Sequence, residues 1–206
     1  VTRLGPFEER PTTDRVGRLV AKQELGPGIC SFTFALDAPA EFRPGQYAIL
    51  ELGPDLQRCY SMDGGPGSEI TFVAKHYLGR PGSSALHALP LGAEVPITVP
   101  FGDMWLREDD APAILIAGGT GIAPVLSLAR HMAARGHAHP VTVLYGANTP
   151  DELVCLDELA DTVAQLPNGR LVPVVVHAAD SWPGRRGYAT TPLAEIATPE
   201  HRYYLA

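Results

Sequence analysis

The chain has 206 residues, 45% of them apolar and 19% charged, with a formal net charge of −7 at pH 7. That length allows one large domain or two small ones, and either can bury a core. The negative charge argues against nucleic acid as the main partner, and no apolar run approaches the roughly 18 residues that a membrane span requires. We therefore expect a protein that binds neither nucleic acid nor a membrane.

The three cysteines, Cys30, Cys59 and Cys155, are widely spaced and form no Cys-x-x-Cys pair. Their spacing excludes a zinc site or an iron–sulfur cluster that is recognisable from local motifs. An odd number of thiols, without the basic and apolar start typical of a secretion signal, favours the cytoplasm. We expect a cytoplasmic location and no metal within these residues.

The first half of the chain has the pattern of an antiparallel β-barrel. Residues 1–15 are polar and contain proline, and we expect a linker or N-terminal arm there. Polar and apolar residues then alternate over short segments separated by turn residues, with a hairpin turn at Gly26-Pro27-Gly28. Strands are predicted at 16–24, 29–36, 47–52, 70–75 and 94–99. We expect residues 16–108 to form the first domain.

The second half has the pattern of a parallel α/β domain. The continuous apolar run Ala113 to Ala117 is typical of a parallel strand buried on both faces. Further strands are predicted at 141–145, at 171–176 and near 203, and helices at 124–135 and 152–166. Because strands and helices alternate, we expect a parallel sheet over residues 109–206.

The segment Ala-Gly-Gly-Thr-Gly-Ile-Ala-Pro, residues 117–124, joins the first of these strands to the first helix. Glycines let the backbone approach a phosphate, and a helix N-terminus offers free N–H groups. Pro124 suits a first helical turn. Since the segment matches neither Gly-x-Gly-x-x-Gly nor a P-loop, a tight turn that needs glycine only for packing stays open beside nucleotide binding.

Two further segments carry groups suited to a phosphate-bearing heterocycle. In Arg58-Cys59-Tyr60-Ser61, Arg58 and Tyr60 share one face of an extended chain. A guanidinium forks onto a pyrophosphate and a phenol ring packs on a flat heterocycle. In residues 79–89, small residues open a short helix that Ser83 or Ser84 can cap while free N–H groups bind a phosphate. The alternatives are an exposed arginine beside a half-buried tyrosine, and an ordinary capped turn.

Taken together and in this order, the motifs resemble the ferredoxin–NADP reductase superfamily, in particular the reductase components of bacterial aromatic-ring-hydroxylating oxygenases. The resemblance runs from about Val16 to the last residue. It rests on Arg-x-Tyr-Ser at 58–61, Lys75, Gly79 with Ser83 and Leu86, Pro-Phe-Gly at 100–102, Trp-Leu-Arg at 105–107, Ala-Gly-Gly-Thr-Gly-Ile-Ala-Pro-Val-Leu-Ser at 117–127, Leu-Tyr-Gly-Ala-Asn at 144–148, and Glu152-Leu153.

The resemblance implies a flavin-binding barrel followed by a nicotinamide-binding α/β domain. By position, Arg58 would hold the flavin phosphates and Tyr60 would pack on the isoalloxazine ring. Ser61 would hydrogen-bond near flavin N5, the hydride acceptor, and Thr120 would lie near the nicotinamide. Tyr60, Ser61 and Thr120 are therefore the expected catalytic residues. The other expected cofactor contacts are Lys75, His76, Tyr77, Gly82, Ser83 and Ser84 for the flavin, and Gly119, Gly121, Pro124, Gly146, Ala147, Asn148 and Asp180 for the pyridine nucleotide.

The sequence departs from the family pattern at three places. The family's Cys-Gly-Pro-Pro motif would start about where Ala206 stands, so we expect the second domain to be incomplete at its C-terminus. Many relatives carry a plant-type iron–sulfur domain, and this chain has no cysteine cluster. Where relatives that use NADP often have Ser-Arg, this chain has residues 177–180, which end in Asp180. An acidic group there favours a free ribose 2′-hydroxyl and hence NADH, while Arg185 and Arg186 keep NADPH open.

The resemblance therefore predicts an enzyme that passes electrons from NADH through a flavin to an iron–sulfur acceptor. FAD is expected, and FMN stays open. The acceptor would be a ferredoxin or an oxygenase component, with the 2Fe-2S cluster in a partner or in a domain outside this chain. Two alternatives remain: a reductase for a di-iron or haem monooxygenase or for ferric iron or flavin, and a regulatory subunit that binds nucleotide without turnover.

Overall fold

The computed structural model describes residues 11–107 and 111–206. Their first part is a closed, antiparallel six-stranded barrel in the order β1-β2-β5-β4-β3-β6. The strands are β1 (Thr13–Gly26), β2 (Ile29–Ala40), β3 (Tyr47–Glu51), β4 (Gln57–Asp63), β5 (Gly67–Lys75) and β6 (Glu94–Phe101), and helix α1 (Pro81–Ala88) lies between β5 and β6. Alternate apolar side chains fill the interior, where the rings of Phe34 and Phe72 meet edge to face at 5.9 Å.

The second part is a five-stranded parallel sheet in the order β10-β9-β8-β7-β11. Its strands are β7 (Ala113–Gly118), β8 (Val141–Ala147), β9 (Arg170–Val175), β10 (Arg185–Arg186) and β11 (Arg202–Leu205), with helices α2 (Ile122–Ala134), α3 (Leu156–Ala164) and α4 (Leu193–Ile196). One face packs on α2 and α3, and the other face is covered by the segment around α4. The sequence-based prediction of a barrel followed by a parallel α/β sheet is confirmed.

Several predicted boundaries need correction. The strand β1 begins at Thr13 and not at residue 16, because residues 13–15 pair with residues 97–99 of β6. The barrel has six strands and not five: β4 was missed because Met62 is its only buried residue, so the strand lacks a clear apolar alternation. The short elements β10 and α4 were also not predicted. The predicted domain boundary at 108/109 and residues 1–10 of the predicted arm, which was expected over 1–15, lie outside the described residues.

The two parts share an apolar contact. Ile29 of β2 and Val73 of β5 belong to the same buried cluster as Ile122 and Val125 of α2. The first turns of α2 are therefore buried on nearly every side, which matches their almost uninterrupted apolar sequence. This contact places the end of β5 opposite the carboxyl ends of β7 and β8. Within the described residues, no helix combines the length and the apolar character needed to cross a membrane.

Candidate functional site

A cleft of about 280 Å³ lies between the barrel and the parallel sheet. We call it the interdomain cleft. It opens at the carboxyl ends of β7 and β8, the edge at which open α/β sheets bind their ligands. Its lining residues are Ile29, Lys75, Tyr77, Gly118, Gly119, Thr120, Gly146, Ala147, Asn148, Glu152, Val176, Tyr188 and Ala189. Seven of the predicted site residues are among them, from both predicted domains.

The glycine turn after β7 forms one wall of the cleft. Gly119 has a φ of +54°, in the left-handed region, and a Cβ there would meet no atom within 4 Å. Gly121 has a different reason to be glycine, since a Cβ there would lie 2.4 Å from the carbonyl oxygen of Ala206. Neither Gly121 nor Pro124, which is buried within α2, lines the cleft. Close packing against Ala206 thus accounts for glycine at position 121, and Pro124 lies among the buried residues of α2.

The end of β8 forms the adjoining wall. A Cβ on Gly146 would lie 2.7 Å from the Cβ of Ala189 and 2.8 Å from its backbone nitrogen, so glycine lets the segment after β10 pack against β8. Asn148 donates a hydrogen bond from its side-chain amide to Glu152 Oε2 over 3.2 Å. The close packing of Ala189 on Gly146 and the hydrogen bond between Asn148 and Glu152 therefore form this part of the cleft wall.

An ion pair crosses the cleft and joins the two domains. Nζ of Lys75, the last residue of β5, lies 2.8 Å from Oε1 of Glu152, and the two side chains are only 21% and 17% exposed. The hydrogen bond from Lys75 is the main reason that the pKa of Glu152 falls below its ordinary value, although desolvation opposes the shift. Glu152 was not predicted as a site residue, even though Glu152-Leu153 was part of the family pattern.

A second set of predicted residues lies on the barrel near α1. The side chain of Arg58, on β4, packs directly over Gly82, where a Cβ would lie 2.3 Å from Arg58 Nε. The helix begins at Pro81, and in the part of the chain that the structure describes the cap residue Arg80 makes no side-chain hydrogen bond to it. A guanidinium and a helix start without a side-chain cap therefore meet at one point, which suits a phosphate group.

The serines of α1 do not cap the helix as predicted. The Ser83 hydroxyl accepts a hydrogen bond from the backbone N–H of Tyr77 over 3.1 Å, and it donates to the carbonyl of Arg80 over 3.2 Å. Oγ of Ser84 lies 3.2 Å from Nε2 of His76. Both hydroxyls hold the turn after β5 against α1, because the helix starts three residues earlier than a Ser83 cap requires.

The two residues expected at the flavin ring lie on β4, the strand that also carries Arg58. The ring centroid of Tyr60 is 6.2 Å from that of Phe72, and burial raises the pKa of its half-buried phenol while Arg58 opposes the shift. Ser61 pairs with Tyr47 across the β3–β4 ladder. Tyr60 and Arg58 thus lie on one face of the strand and Ser61 on the other.

Two residues on the far side of the cleft differ from expectation. Asp180 is fully exposed, lies 3.3 Å from Nη2 of Arg186, and does not line the cleft. Tyr188, which the sequence did not single out, lines the cleft and is 70% exposed. No local motif marks Tyr188, since only the path of the chain after β10 brings it there.

Within the described residues, no group of three His, Cys, Asp or Glu side chains is arranged to hold a metal ion.

A closed antiparallel barrel next to a parallel sheet, with a glycine turn at the carboxyl end of the first sheet strand, is the architecture of two-domain nucleotide-binding oxidoreductases. Residues 115–205 match the family described as the oxidoreductase NAD-binding domain. The ferredoxin reductase of carbazole 1,9a-dioxygenase superposes with a TM-score of 0.84 at 27% identity, over 95% of this chain and 61% of that one. The flavohem-like FAD/NAD-binding domain of nitric oxide dioxygenase from Vibrio cholerae superposes with a TM-score of 0.79 at 26% identity, covering 93% and 86%.

Two curated relatives show the same likeness in sequence. The ferredoxin–NAD(P)+ reductase component of the naphthalene 1,2-dioxygenase/salicylate 5-hydroxylase systems of Ralstonia sp is 34% identical over 180 residues, 86% of this chain and 55% of the relative. The reductase component of propane 2-monooxygenase from Mycolicibacterium smegmatis is 36% identical over 151 residues, 70% of this chain and 43% of the relative. The chain belongs to the ferredoxin–NADP reductase superfamily and spans about half the length of these curated relatives.

Proposed function

We propose that the chain is the flavin- and NADH-binding part of a reductase that supplies electrons to an oxygenase. The observation that carries the proposal is that Arg58 packs on Gly82 at the start of α1 on the barrel, while Gly119 and Thr120 line the cleft between the barrel and the sheet. One place suits a flavin phosphate and the other a pyridine nucleotide. The reductase components among its relatives, both of dioxygenases and of a monooxygenase, support the same reading.

The residues on the barrel fit a flavin. Because Gly82 has no Cβ, the Arg58 side chain packs against the start of α1. Nη1 of Arg58 donates to the carbonyl of Gln57 over 2.7 Å, and the rest of the guanidinium and the first N–H groups of the helix would share one phosphate. Tyr60 offers a half-buried aromatic face on the same side of β4 as Arg58. The turn after Lys75 leads into the uncapped start of α1 and suits a pyrophosphate, and we therefore favour FAD, with FMN as the alternative.

The residues across the cleft fit the pyridine nucleotide. Gly119, Thr120 and Asn148 would border it, and Lys75 lies within reach of the same space. Both arginines after β9 already face carboxylates, since Arg185 lies 2.6 Å from Glu195 and Arg186 lies 3.3 Å from Asp180. Neither is held ready for a ribose 2′-phosphate, which supports NADH over NADPH.

A bound flavin would supply the redox chemistry: it would take a hydride, that is two electrons and a proton, from NADH and pass the electrons singly to an acceptor. This chain would bind and orient both partners. No general base is needed, since the hydride moves directly.

The acceptor we propose is the 2Fe-2S group of a ferredoxin or oxygenase component. The cytoplasm is the proposed compartment, in keeping with three unpaired thiols.

Flavin binding by the named residues tests the proposal. Arg58→Ala and Tyr60→Ala should each lower the flavin content of the purified protein, because one removes the phosphate partner and the other the aromatic face. Thr33→Ala, on β2 away from the site, is the control and should keep its flavin. Full flavin occupancy in both site variants would refute the assignment, and a yellow protein that NADH fails to reduce would favour the regulatory subunit.

A further inference from the structure

A second polar contact between the domains lies away from the interdomain cleft, where β4 ends against α2. Oδ1 of Asp63, the last residue of β4, lies 2.5 Å from Nη1 of Arg130 on α2, and the Asp63 side chain is 12% exposed. The other terminal nitrogen of Arg130 contacts the carboxylate of Glu158 on α3. One guanidinium therefore links the barrel to two helices of the nucleotide-binding domain.

A second anchor lies one helical turn away. Ser127, which is 2% exposed, donates a hydrogen bond from its hydroxyl to the carbonyl of Gly64 over 2.5 Å. Ser127 and Arg130 are three residues apart and so lie on one face of α2, and Asp63 and Gly64 are consecutive. We call these four residues the β4–α2 junction. Two adjacent anchors fix an orientation, whereas a single contact allows rotation about itself.

The junction connects the two places where the chemistry is proposed to occur. On the barrel side, Ser61 lies two residues before Asp63 on the same strand, roughly 7 Å away. On the other side, α2 begins at Ile122, directly after the turn that holds Thr120, and Arg130 lies about 12 Å along the helix axis from Ile122. Rigid secondary structure thus runs from the junction to each proposed reacting partner.

We propose that Arg130 is a positioning residue for hydride transfer, setting through Asp63 the separation between the flavin ring and the nicotinamide. This inference rests on the proposed function. A tilt of α2 by roughly 5° about Arg130 moves the start of the helix by about 1 Å. Misplacement of reacting groups by about 1 Å lowers a rate by as much as roughly 100-fold. Arg130 does not line the interdomain cleft, and its guanidinium is engaged by Asp63 and Glu158, so its proposed effect on the reaction is indirect.

The test measures hydride transfer and domain orientation in the flavin-loaded full chain. We expect Arg130→Met to lower the rate constant of flavin reduction at saturating NADH by about 10- to 100-fold, with the Kd values for NADH and flavin unchanged within twofold. Residual dipolar couplings of the backbone amides should show that the barrel and the sheet have changed relative orientation. Arg130→Lys should recover part of the rate, because it keeps a charge that can reach Asp63.

Matched variants separate positioning from general destabilisation. Arg15→Met removes an arginine whose hydrogen bonds, among the described residues, go to the carbonyls of Pro39 and Asp14 in the barrel, and it should leave rate and orientation unchanged. If Arg130→Met does not fold, Ser127→Ala serves as the test variant. It removes only the hydrogen bond to the Gly64 carbonyl and should still lower the rate of flavin reduction. Wild-type reduction rates in the folded Arg130 and Ser127 variants, or unchanged couplings, would overturn the inference. Failure of the wild-type protein to reduce flavin would instead refute the proposed function.

Discussion

The Arg58–Gly82 contact makes a prediction that separates flavin binding from folding. In Gly82→Ala the new Cβ would lie 2.3 Å from Nε, 2.6 Å from Cγ and 2.8 Å from Cδ of Arg58, so the arginine side chain has to move away. The backbone at position 82 is ordinary helix, where alanine is favoured over glycine by up to about 1 kcal/mol. The protein should therefore stay folded while its guanidinium is displaced from the start of α1.

The expected loss follows from the contact that is broken. A hydrogen bond to a charged group contributes about 1.5–3 kcal/mol, which corresponds to about a 10- to 150-fold weaker Kd for FAD. Titration of the apoprotein with FAD, followed by quenching of flavin fluorescence, measures this change. Gly65→Ala is the matched control, because a Cβ at Gly65 meets no atom within 4 Å, and its Kd should equal that of the wild type.

A double-mutant cycle checks that the effect runs through Arg58. Once Arg58 is replaced by alanine, Gly82→Ala has no side chain to displace and should cause little further loss. An unchanged FAD Kd in folded Gly82→Ala would refute the reasoning. So would full additivity of the two substitutions, since that would mean that Gly82 acts independently of Arg58.

Two further predictions concern stability. Lys75 lowers the pKa of Glu152, so this pair contributes stability at pH values above the unfolded pKa of about 4.5 and loses it as the pH falls through the lower folded value. Glu152→Gln should therefore lower the free energy of unfolding by about 1 kcal/mol near neutral pH and leave it unchanged well below pH 4.5. Urea unfolding at the two pH values measures this difference, and an equal loss at both would contradict the pairing. Gly121→Ala should lower the free energy of unfolding by about 1–3 kcal/mol, because the new Cβ would lie 2.4 Å from the carbonyl oxygen of Ala206. A variant as stable as the wild type would argue against that packing.

The fold was largely predictable, because its signals are local. The hairpin around Pro27-Gly28 is visible in the sequence as alternating polar and apolar residues, and β7 is visible as a continuous apolar stretch. The strand β4 escaped prediction because its pairing with β3 and β5 holds it in place, while most of its side chains remain partly or fully exposed. Long-range pairing of this kind leaves no periodic pattern in the strand itself.

The site was predicted less evenly than the fold. The family pattern brought Arg58 and Gly82 forward, and the structure places them in contact. It could not separate glycines that face a ligand from glycines that face protein, and Gly121 belongs to the second kind because of a neighbour 85 positions away in the sequence. The partner of Lys75 and the place of Tyr188 in the cleft likewise depend on how the two domains meet.

Anaerobic addition of NADH to the flavin-loaded chain tests the central claim most directly. If the chain is the flavin- and NADH-binding part of a reductase, the visible absorbance of the flavin should disappear within the mixing time or shortly after it, with about one NADH consumed per flavin. An added 2Fe-2S ferredoxin should then restore the colour as it becomes reduced. Persistent flavin absorbance in the presence of excess NADH would contradict the account.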